Sequence, residues 1–313
     1  MFSTRARTSL HAGLAPLVAA SLGLSALLGA ASPTLAAARV VSVVAAENEY
    51  ASVAQAIGGR YVRVTGIMSN PNTDPHTFEA NTAVAEEVAG ASLVIQNGVG
   101  YDNFMNTIEA AAPERGRIVL NVGLATGYGL RTKNPHLWYD PRTMPIVARD
   151  IAADLGRLLP SDRAYFAGRV KVFDQALVPW QKAIARLRAA YRGSAVAVTE
   201  PVADDMLEAA GLSIRTPWAF QAAVMNGTDI SPEDVAIEEG LLTHRTVKVF
   251  VYNQQAVDAT TQSLLAVAKA HHIPVVGVYE TMPPDYSYPT WMTAETNAVY
   301  KALKDHVSTE RLP

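Results

Sequence analysis

Two proline–histidine pairs are the first candidates for chemistry in this sequence. One lies in "TDPHTFE" (73–79), a segment without helical or strand periodicity, and the other in "NPHLWYD" (134–140). Proline restricts the backbone on both sides of it and has no amide donor, which suits a position where a side chain must be held in place. His76 and His136 are therefore predicted to serve together as ligands of one metal ion.

Two glutamates extend the candidate ligand set. Glu200 ends "SAVAVTE" and Glu280 ends "IPVVGVYE", and both segments are apolar runs typical of buried strands. Open parallel sheets bind ligands at the carboxyl ends of their strands, and the two histidines also follow strand-like runs. Imidazole nitrogens and carboxylate oxygens together form sites for zinc, manganese or ferrous iron. The sequence therefore predicts one divalent-metal site with four ligands, two from each half of the chain.

Each of these residues also has an ordinary structural interpretation. A single histidine in a loop is more often a surface or hydrogen-bonded residue, and an acid at a strand end is more often the N-cap of the next helix. The metal interpretation depends on all four occurring at equivalent places in two halves. For the histidines at predicted helix ends or on the surface we expect structural roles: His244, His271, His272 and His306.

The elements that must position the four residues alternate in type. In the first half, short β-branched runs are separated by helical patterns at 82–88 and 102–112, which predicts a parallel α/β arrangement. The runs are "RVVSVVAA" (39–46), "YVRVTGI" (61–67), "SLVIQNG" (92–98) and "RIVLNV" (117–122).

A long amphipathic helix follows. Between Phe166 and Leu187 the apolar residues recur at steps of four and three. Ser161 with Asp162 is a candidate N-cap and Gly193 a candidate stop, which gives a helix of about 30 residues and about 45 Å. Strand and helix patterns then resume. The predicted fold is α/β, with two parallel-sheet lobes, at 39–160 and 194–313, joined by one backbone helix at 161–193.

The first 38 residues have the pattern of a cleaved secretory signal peptide. Arg5 and Arg7 precede a small apolar run, and Ala36 to Ala38 offer a cleavage site. The remaining chain carries 24 basic and 29 acidic residues, a net charge of −5, and nothing in it favours nucleic acid. The sequence has no cysteine, which excludes cysteine-based metal sites and lipid attachment through cysteine. We expect a periplasmic protein that is not a lipoprotein.

Several segments together carry a family resemblance. "DPHTFE" (74–79), "ASLVIQNGVGYDNF" (91–104) and "NPHLWYDP" (134–141), followed by the long helix, resemble the solute-binding proteins of bacterial zinc and manganese ABC importers. The resemblance covers essentially all of the chain after the predicted leader. It implies a helical-backbone metal receptor that holds its ion in the cleft between two α/β lobes.

The resemblance also implies ligands at particular positions. The family's first two histidine ligands fall on His76 and His136, and its third ligand, a histidine or glutamate, falls on Glu200. The family usually has an aspartate just after the last strand, where this sequence has Glu280, so the fourth ligand is either Glu280 or Asp285. Two carboxylates make a harder ligand set than three histidines, which tilts the expectation slightly toward manganese or iron and leaves zinc open.

The function implied by the resemblance is transport. The protein would capture Zn²⁺ or Mn²⁺, or Fe²⁺, as the transported ion and deliver it to the membrane permease of an ABC importer. We expect a monomer without enzymatic activity, because four protein ligands leave little room for the activated water of a catalytic zinc.

Two other functions remain open from the sequence. A zinc-dependent hydrolase would use His76 and His136 as ligands and Glu200 as its base. A long-helix receptor for a siderophore, haem or vitamin would instead line a wide cleft with aromatic side chains. The candidates for that lining are Tyr101, Trp138 and Trp218.

Overall fold

The computed structural model describes residues 39–129 and 132–312. The predicted signal peptide, residues 1–38, lies outside the described residues. Within them the chain forms two lobes, each built on a four-stranded parallel sheet. No helix in this part of the chain is long and apolar enough to cross a membrane.

The first sheet is made of the four runs that the sequence predicts as strands. Val43 of the first strand pairs with Val64 on one side and with Leu93 on the other, and the first strand is almost entirely buried. A strand covered on both faces needs apolar, β-branched side chains throughout, which explains why apolar and polar residues do not alternate in its sequence. The strands are β1 (Val41–Glu47), β2 (Val62–Met68), β3 (Leu93–Gln96) and β4 (Ile118–Asn121), in the order β2-β1-β3-β4.

Five helices cover this sheet or follow it in the chain. The predicted helices at 82–88 and 102–112 are present with small shifts at their ends, and the Asn81 side chain caps the former through the backbone N–H of Val84. The helices are α1 (Asn48–Gly58), α2 (Thr82–Ala89), α3 (Asn103–Ala111), α4 (Val122–Ala125) and α5 (Thr143–Leu158).

The long helix, α6 (Arg163–Tyr191), has 29 residues, which corresponds to about 43 Å. Its predicted existence is confirmed, and its apolar stripe is buried from Phe166 to Leu187. The predicted cap differs, because Ser161 and Asp162 lie in a preceding 3₁₀ turn and Asp162 makes no side-chain capping bond.

The second sheet repeats the strand order of the first. Phe250 of its third strand pairs with Ala197 on one side and with Val275 on the other. The strands are β5 (Ala195–Val198), β6 (Ser213–Ile214), β7 (Phe250–Asn253) and β8 (Val275–Val278), in the order β6-β5-β7-β8. The helices are α7 (Asp204–Ala209), α8 (Trp218–Met225), α9 (Pro232–Thr243), α10 (Ala259–Ala270) and α11 (Tyr288–Asp305).

Helices α6 and α11 tie the two lobes together. Arg169 of α6 donates to the carbonyl of Ala56 in the first lobe, and Trp180 of α6 donates to Thr296 of α11. Tyr288, at the start of α11, donates to the carbonyl of Trp138 in the first lobe. The chain therefore returns from the second sheet to pack along the same backbone helix, and the core is continuous across both lobes.

Glu295 of α11 is a buried carboxyl group in this shared core. Its Oε1 accepts from the Trp291 indole (2.8 Å) and the Tyr279 amide (3.1 Å), and its Oε2 lies 2.5 Å from the Tyr139 hydroxyl. That hydroxyl also lies 2.7 Å from the Tyr279 carbonyl, an acceptor only, so it donates its single proton there. Glu295 must then donate to the Tyr139 oxygen as a neutral acid. Burial raises the pKa of Glu295 to about 8, consistent with this assignment.

A neutral Glu295 makes stability depend on pH. Between its ordinary pKa of 4.5 and about 8, the folded protein keeps a proton that the unfolded chain loses. The free energy of unfolding should therefore fall as pH rises through that window, by at most about 5 kcal/mol for this group. Glu295→Gln reproduces the donors and acceptors of the neutral acid, so metal-free Glu295→Gln should gain stability over wild type as pH rises. Denaturant unfolding at several pH values checks this, and a pH-independent difference would contradict it.

Candidate metal centre

His76 is held by the loop that follows β2. The side chain of Asp74 accepts from the backbone N–H of His76 (2.8 Å), and the hydroxyl of Thr77 donates back to the carbonyl of Asp74 (2.8 Å). Pro75 begins the short 3₁₀ turn that contains the histidine. The aspartate, proline and histidine thus form one rigid turn that points the ring toward the second lobe.

His136 is held by a related turn. The side-chain oxygen of Asn134 accepts from the backbone N–H of His136 (3.1 Å) and lies 2.8 Å from its ring Nδ1. This second contact makes Nδ1 the protonated nitrogen and leaves Nε2 free to coordinate. The ring is fully buried, edge-on to Tyr101 and Trp138. The polar residue before each proline therefore fixes the histidine after it.

The two glutamates occupy matching positions in the second sheet. Glu200 stands two residues beyond the end of β5, and Glu280 stands two residues beyond the end of β8. Both carboxylates are buried, at 3% and 1% exposure. The carboxyl edge of this sheet therefore points both side chains at the loops of the first lobe.

The four predicted ligands come together at one point. One donor atom from each of His76, His136, Glu200 and Glu280 lies within 4.8 Å of all the others. Glu280 Oε2 is 3.0 Å from Nε2 of His136 and 3.3 Å from Nε2 of His76, and the latter is 3.9 Å from Glu200 Oε2. Ligands about 2.1 Å from an ion at the centre of a tetrahedron lie about 3.4 Å apart, so these separations suit one small dication.

The electrostatics of this cluster favour a cation. Burial alone would raise the pKa of Glu280, but the two histidines and the Tyr101 hydroxyl outweigh it and hold that pKa at about 2. Burial, reinforced by the charge of Glu280, raises the pKa of Glu200 well above its usual range. Burial lowers the pKa of His136, which keeps that ring neutral and able to bind metal. A dication would supply the charge that a second buried carboxylate needs to ionise.

Two further residues hold Glu280. Asn253, at the end of β7, donates from its side chain to Glu280 Oε1 (2.5 Å), and Tyr101 donates to Glu280 Oε2 (2.8 Å). Asn253 was not among the residues predicted from the sequence, and Tyr101 was predicted only as a candidate for lining a cleft. A usable signal for Asn253 was present, because it is a polar residue that ends an otherwise apolar strand in the same lobe as Glu200 and Glu280.

The remaining candidates lie away from the cluster. Asp285 is exposed, with a positive φ of 68°, and the structure does not bring it to the other ligand atoms. Trp138 is fully buried against Tyr50 and Tyr101 and is a core residue. Trp218 is half-buried and lines a cavity of about 410 Å³ beside His76. His244 and His271 end helices as expected, and His306, expected on the surface, is exposed just after the end of α11.

Comparison with known proteins shows which family this chain belongs to. Residues 43–302 match the family described as ZnuA, zinc-uptake complex component A, periplasmic. The chain belongs to the ZnuA family. This confirms the resemblance seen in the sequence, and the family is one of extracytoplasmic metal-binding components of importers.

Individual ZnuA-like proteins are similar over most of the chain. The manganese-binding lipoprotein MntA of Bacillus subtilis (strain 168) is 25% identical over 289 residues, 84% of this chain and 90% of MntA. The structure of the periplasmic zinc-binding protein TroA of Treponema pallidum has a TM-score of 0.72 at 17% identity, covering 86% of this chain and 99% of TroA. The Mn-bound periplasmic metal-binding protein of Candidatus Liberibacter asiaticus has a TM-score of 0.69 at 15% identity, covering 84% and 99%. The predicted two-lobe, long-helix fold is confirmed.

The fourth ligand of this ZnuA-family site can be tested with isosteric variants. Glu280→Gln removes a carboxylate from the cluster and should weaken Zn²⁺ binding by at least about 100-fold. Mutating a residue that only hydrogen-bonds to a metal ligand already lowers metal affinity by about 10–100-fold. Asp285→Asn keeps a residue that tolerates a positive φ and should change the affinity less than about twofold. Competition with a chromophoric chelator measures both, with circular dichroism as the folding control. An equal or larger loss in Asp285→Asn would contradict the geometry.

Proposed function

We propose that this protein captures a divalent transition-metal ion between its lobes and delivers it to the membrane permease of an ABC importer. The proposed ligands are His76, His136, Glu200 and Glu280. The observation that carries the proposal is that these four donor atoms, two from each lobe, lie within 4.8 Å of one another. An ion bound there would bridge the two lobes, so its capture and release would be coupled to how the lobes pack.

A receptor role suits this ligand set better than catalysis. Catalytic zinc sites have three protein ligands and an open position for water, whereas four protein side chains converge here. In the hydrolase alternative Glu200 would act as a base on a metal-bound water. Glu200 is itself one of the four converging groups and lies 3.9 Å from His76 Nε2, which favours a ligand role. We therefore propose a protein without enzymatic activity.

The proposed cargo is a bare ion rather than an organic molecule. Glu200 and Glu280 are buried, while the side chain of His76 is 24% exposed at the mouth of the site. The cavity beside His76 opens to solvent, but it is not lined by either glutamate. A siderophore, haem or vitamin in that cavity would bring no positive charge to the two buried carboxylates, whereas a small dication at the cluster would.

The relatives differ in the ion that they are named for. MntA of Bacillus subtilis is named a manganese-binding protein and TroA of Treponema pallidum a zinc-binding protein. Two imidazoles and two carboxylates suit either ion. We propose Zn²⁺ or Mn²⁺ as the transported ion.

We further propose export to the periplasm through a leader that is cleaved after Ala38. The pattern of residues 1–38 supports this, and the sequence has no cysteine for lipid attachment, whereas MntA is named a lipoprotein. We propose that the mature protein is a monomer that binds no nucleic acid, in line with its acidic charge balance. A mature chain that begins at Arg39 would be expected in the periplasmic fraction.

Metal content is the direct test of this function. Protein purified from the periplasm without added chelator should contain about one equivalent of transition metal per chain. It should show no metal-dependent turnover of ester, peptide or phosphate substrates. Elemental analysis and intact mass on the same preparation check metal content and leader cleavage together. A metal content near zero after loading with Zn²⁺ and Mn²⁺, or hydrolysis at enzymatic rates, would contradict the proposal.

A further inference from the structure

Asn253 lies between the two carboxylates of the site. It ends β7, which is the strand placed between β5 and β8 in the second sheet. Glu200 and Glu280 follow those two outer strands. The order of the strands therefore places the Asn253 amide between the two proposed acidic ligands, where the residue is 1% exposed.

The orientation of the Asn253 amide is fixed by its neighbours. Its side-chain oxygen accepts from the backbone N–H of Gln255 (2.9 Å), which is a donor and cannot accept. The side-chain nitrogen must therefore face the other way, where it donates to Glu280 Oε1 (2.5 Å). The backbone N–H of Asn253 is also bonded, to the Thr199 hydroxyl. The donor aimed at Glu280 is thus held in place at both ends of the residue.

Because of this hydrogen bond, the two oxygens of Glu280 have different neighbours. Oε1 accepts from Asn253 and faces away from the histidines, whereas Oε2 accepts from Tyr101 and also faces the Nε2 atoms of both histidines at 3.0 and 3.3 Å. An ion shared with those imidazoles lies on the Oε2 side. Turning the carboxylate so that both oxygens reach the ion would break the bond to Asn253. Glu280 is therefore positioned as a one-oxygen ligand.

Glu200 is held less firmly. Neither of its buried oxygens meets the distance and angle of a full hydrogen bond to another residue of the described chain, and the Asn253 amide makes only a weaker contact with it. It can present one oxygen or two to an ion. Together the protein offers two nitrogens, one oxygen from Glu280 and one or two oxygens from Glu200.

We propose that Asn253 is a specificity-determining residue, which favours four-coordinate Zn²⁺ over ions of higher coordination number by keeping Glu280 a one-oxygen ligand. This inference rests on the proposed metal-receptor function and names which ion the site prefers. Four ligands complete a tetrahedral zinc site. Mn²⁺, Mg²⁺ and Ca²⁺ favour six or more oxygen-rich ligands, and this site cannot supply them from its own side chains.

The test compares two variants that each remove one hydrogen bond to Glu280. Asn253→Ala frees Oε1, so the ratio of Mn²⁺ affinity to Zn²⁺ affinity should rise by about tenfold. This is a typical size for the loss of a residue that hydrogen-bonds to a metal ligand. Tyr101→Phe removes the donor to Oε2 and leaves Oε1 bonded, so it should weaken both ions by the same factor. Affinities come from competition with chelators at controlled free metal, and thermal unfolding shows whether each variant is folded.

A spectroscopic readout tests the coordination number directly. Co²⁺ bound to wild-type protein should give the intense visible bands of four-coordinate cobalt, and these should weaken in Asn253→Ala. A six-coordinate wild-type spectrum, or an unchanged Mn²⁺ to Zn²⁺ ratio in folded Asn253→Ala, would overturn the inference while leaving metal capture intact. Failure of wild-type protein to bind any of the three ions would overturn the proposed function itself.

Discussion

Two carboxylates buried side by side are the constraint on which the rest of the structure depends. Glu200 and Glu280 lie in the same water-poor pocket, where both could be ionised only at a high electrostatic cost. The fold stabilises one charge, on Glu280, with two imidazoles, a tyrosine hydroxyl and an amide, and gives Glu200 only a weaker contact with that amide. This asymmetry gives the pocket a strong preference for a dication.

Both halves of the fold contribute to keeping that pocket closed. Asn48 of the first lobe makes two hydrogen bonds with the backbone of Met282 in the second, at 2.8 and 2.9 Å. Gln255 bonds to the carbonyl of Thr73 in the loop that carries His76, and to the amides of Glu280 and Thr281. Moving the lobes apart must break the bonds of Asn48 with Met282 and of Gln255 with Thr73, and also the bond between Tyr101 and Glu280. In the proposed function, release of the ion would therefore require the two lobes to separate.

Much of this architecture could be predicted from the sequence, because its main signals are local. The β-branched runs, the steps of four and three in α6, and the acids just past β5 and β8 are all visible within a few residues. The helices α1, α4, α5 and α8 were not predicted. The helix α8 is apolar on most of its surface and so lacks a clear period, and α5 follows a long irregular connection. The role of Asn253 depends on strand order, and that of Tyr101 on a contact 179 residues away, which spacing alone does not show.

The central claim is that one ion is held jointly by both lobes, and diffraction from metal-loaded crystals tests it most directly. With data collected on both sides of the zinc absorption edge, the account predicts one strong anomalous peak per chain, about 2.1 Å from Nε2 of His76 and His136 and from an oxygen of Glu200 and of Glu280. A peak bound by residues of a single lobe, or several weak peaks on the surface with none between the lobes, would contradict it.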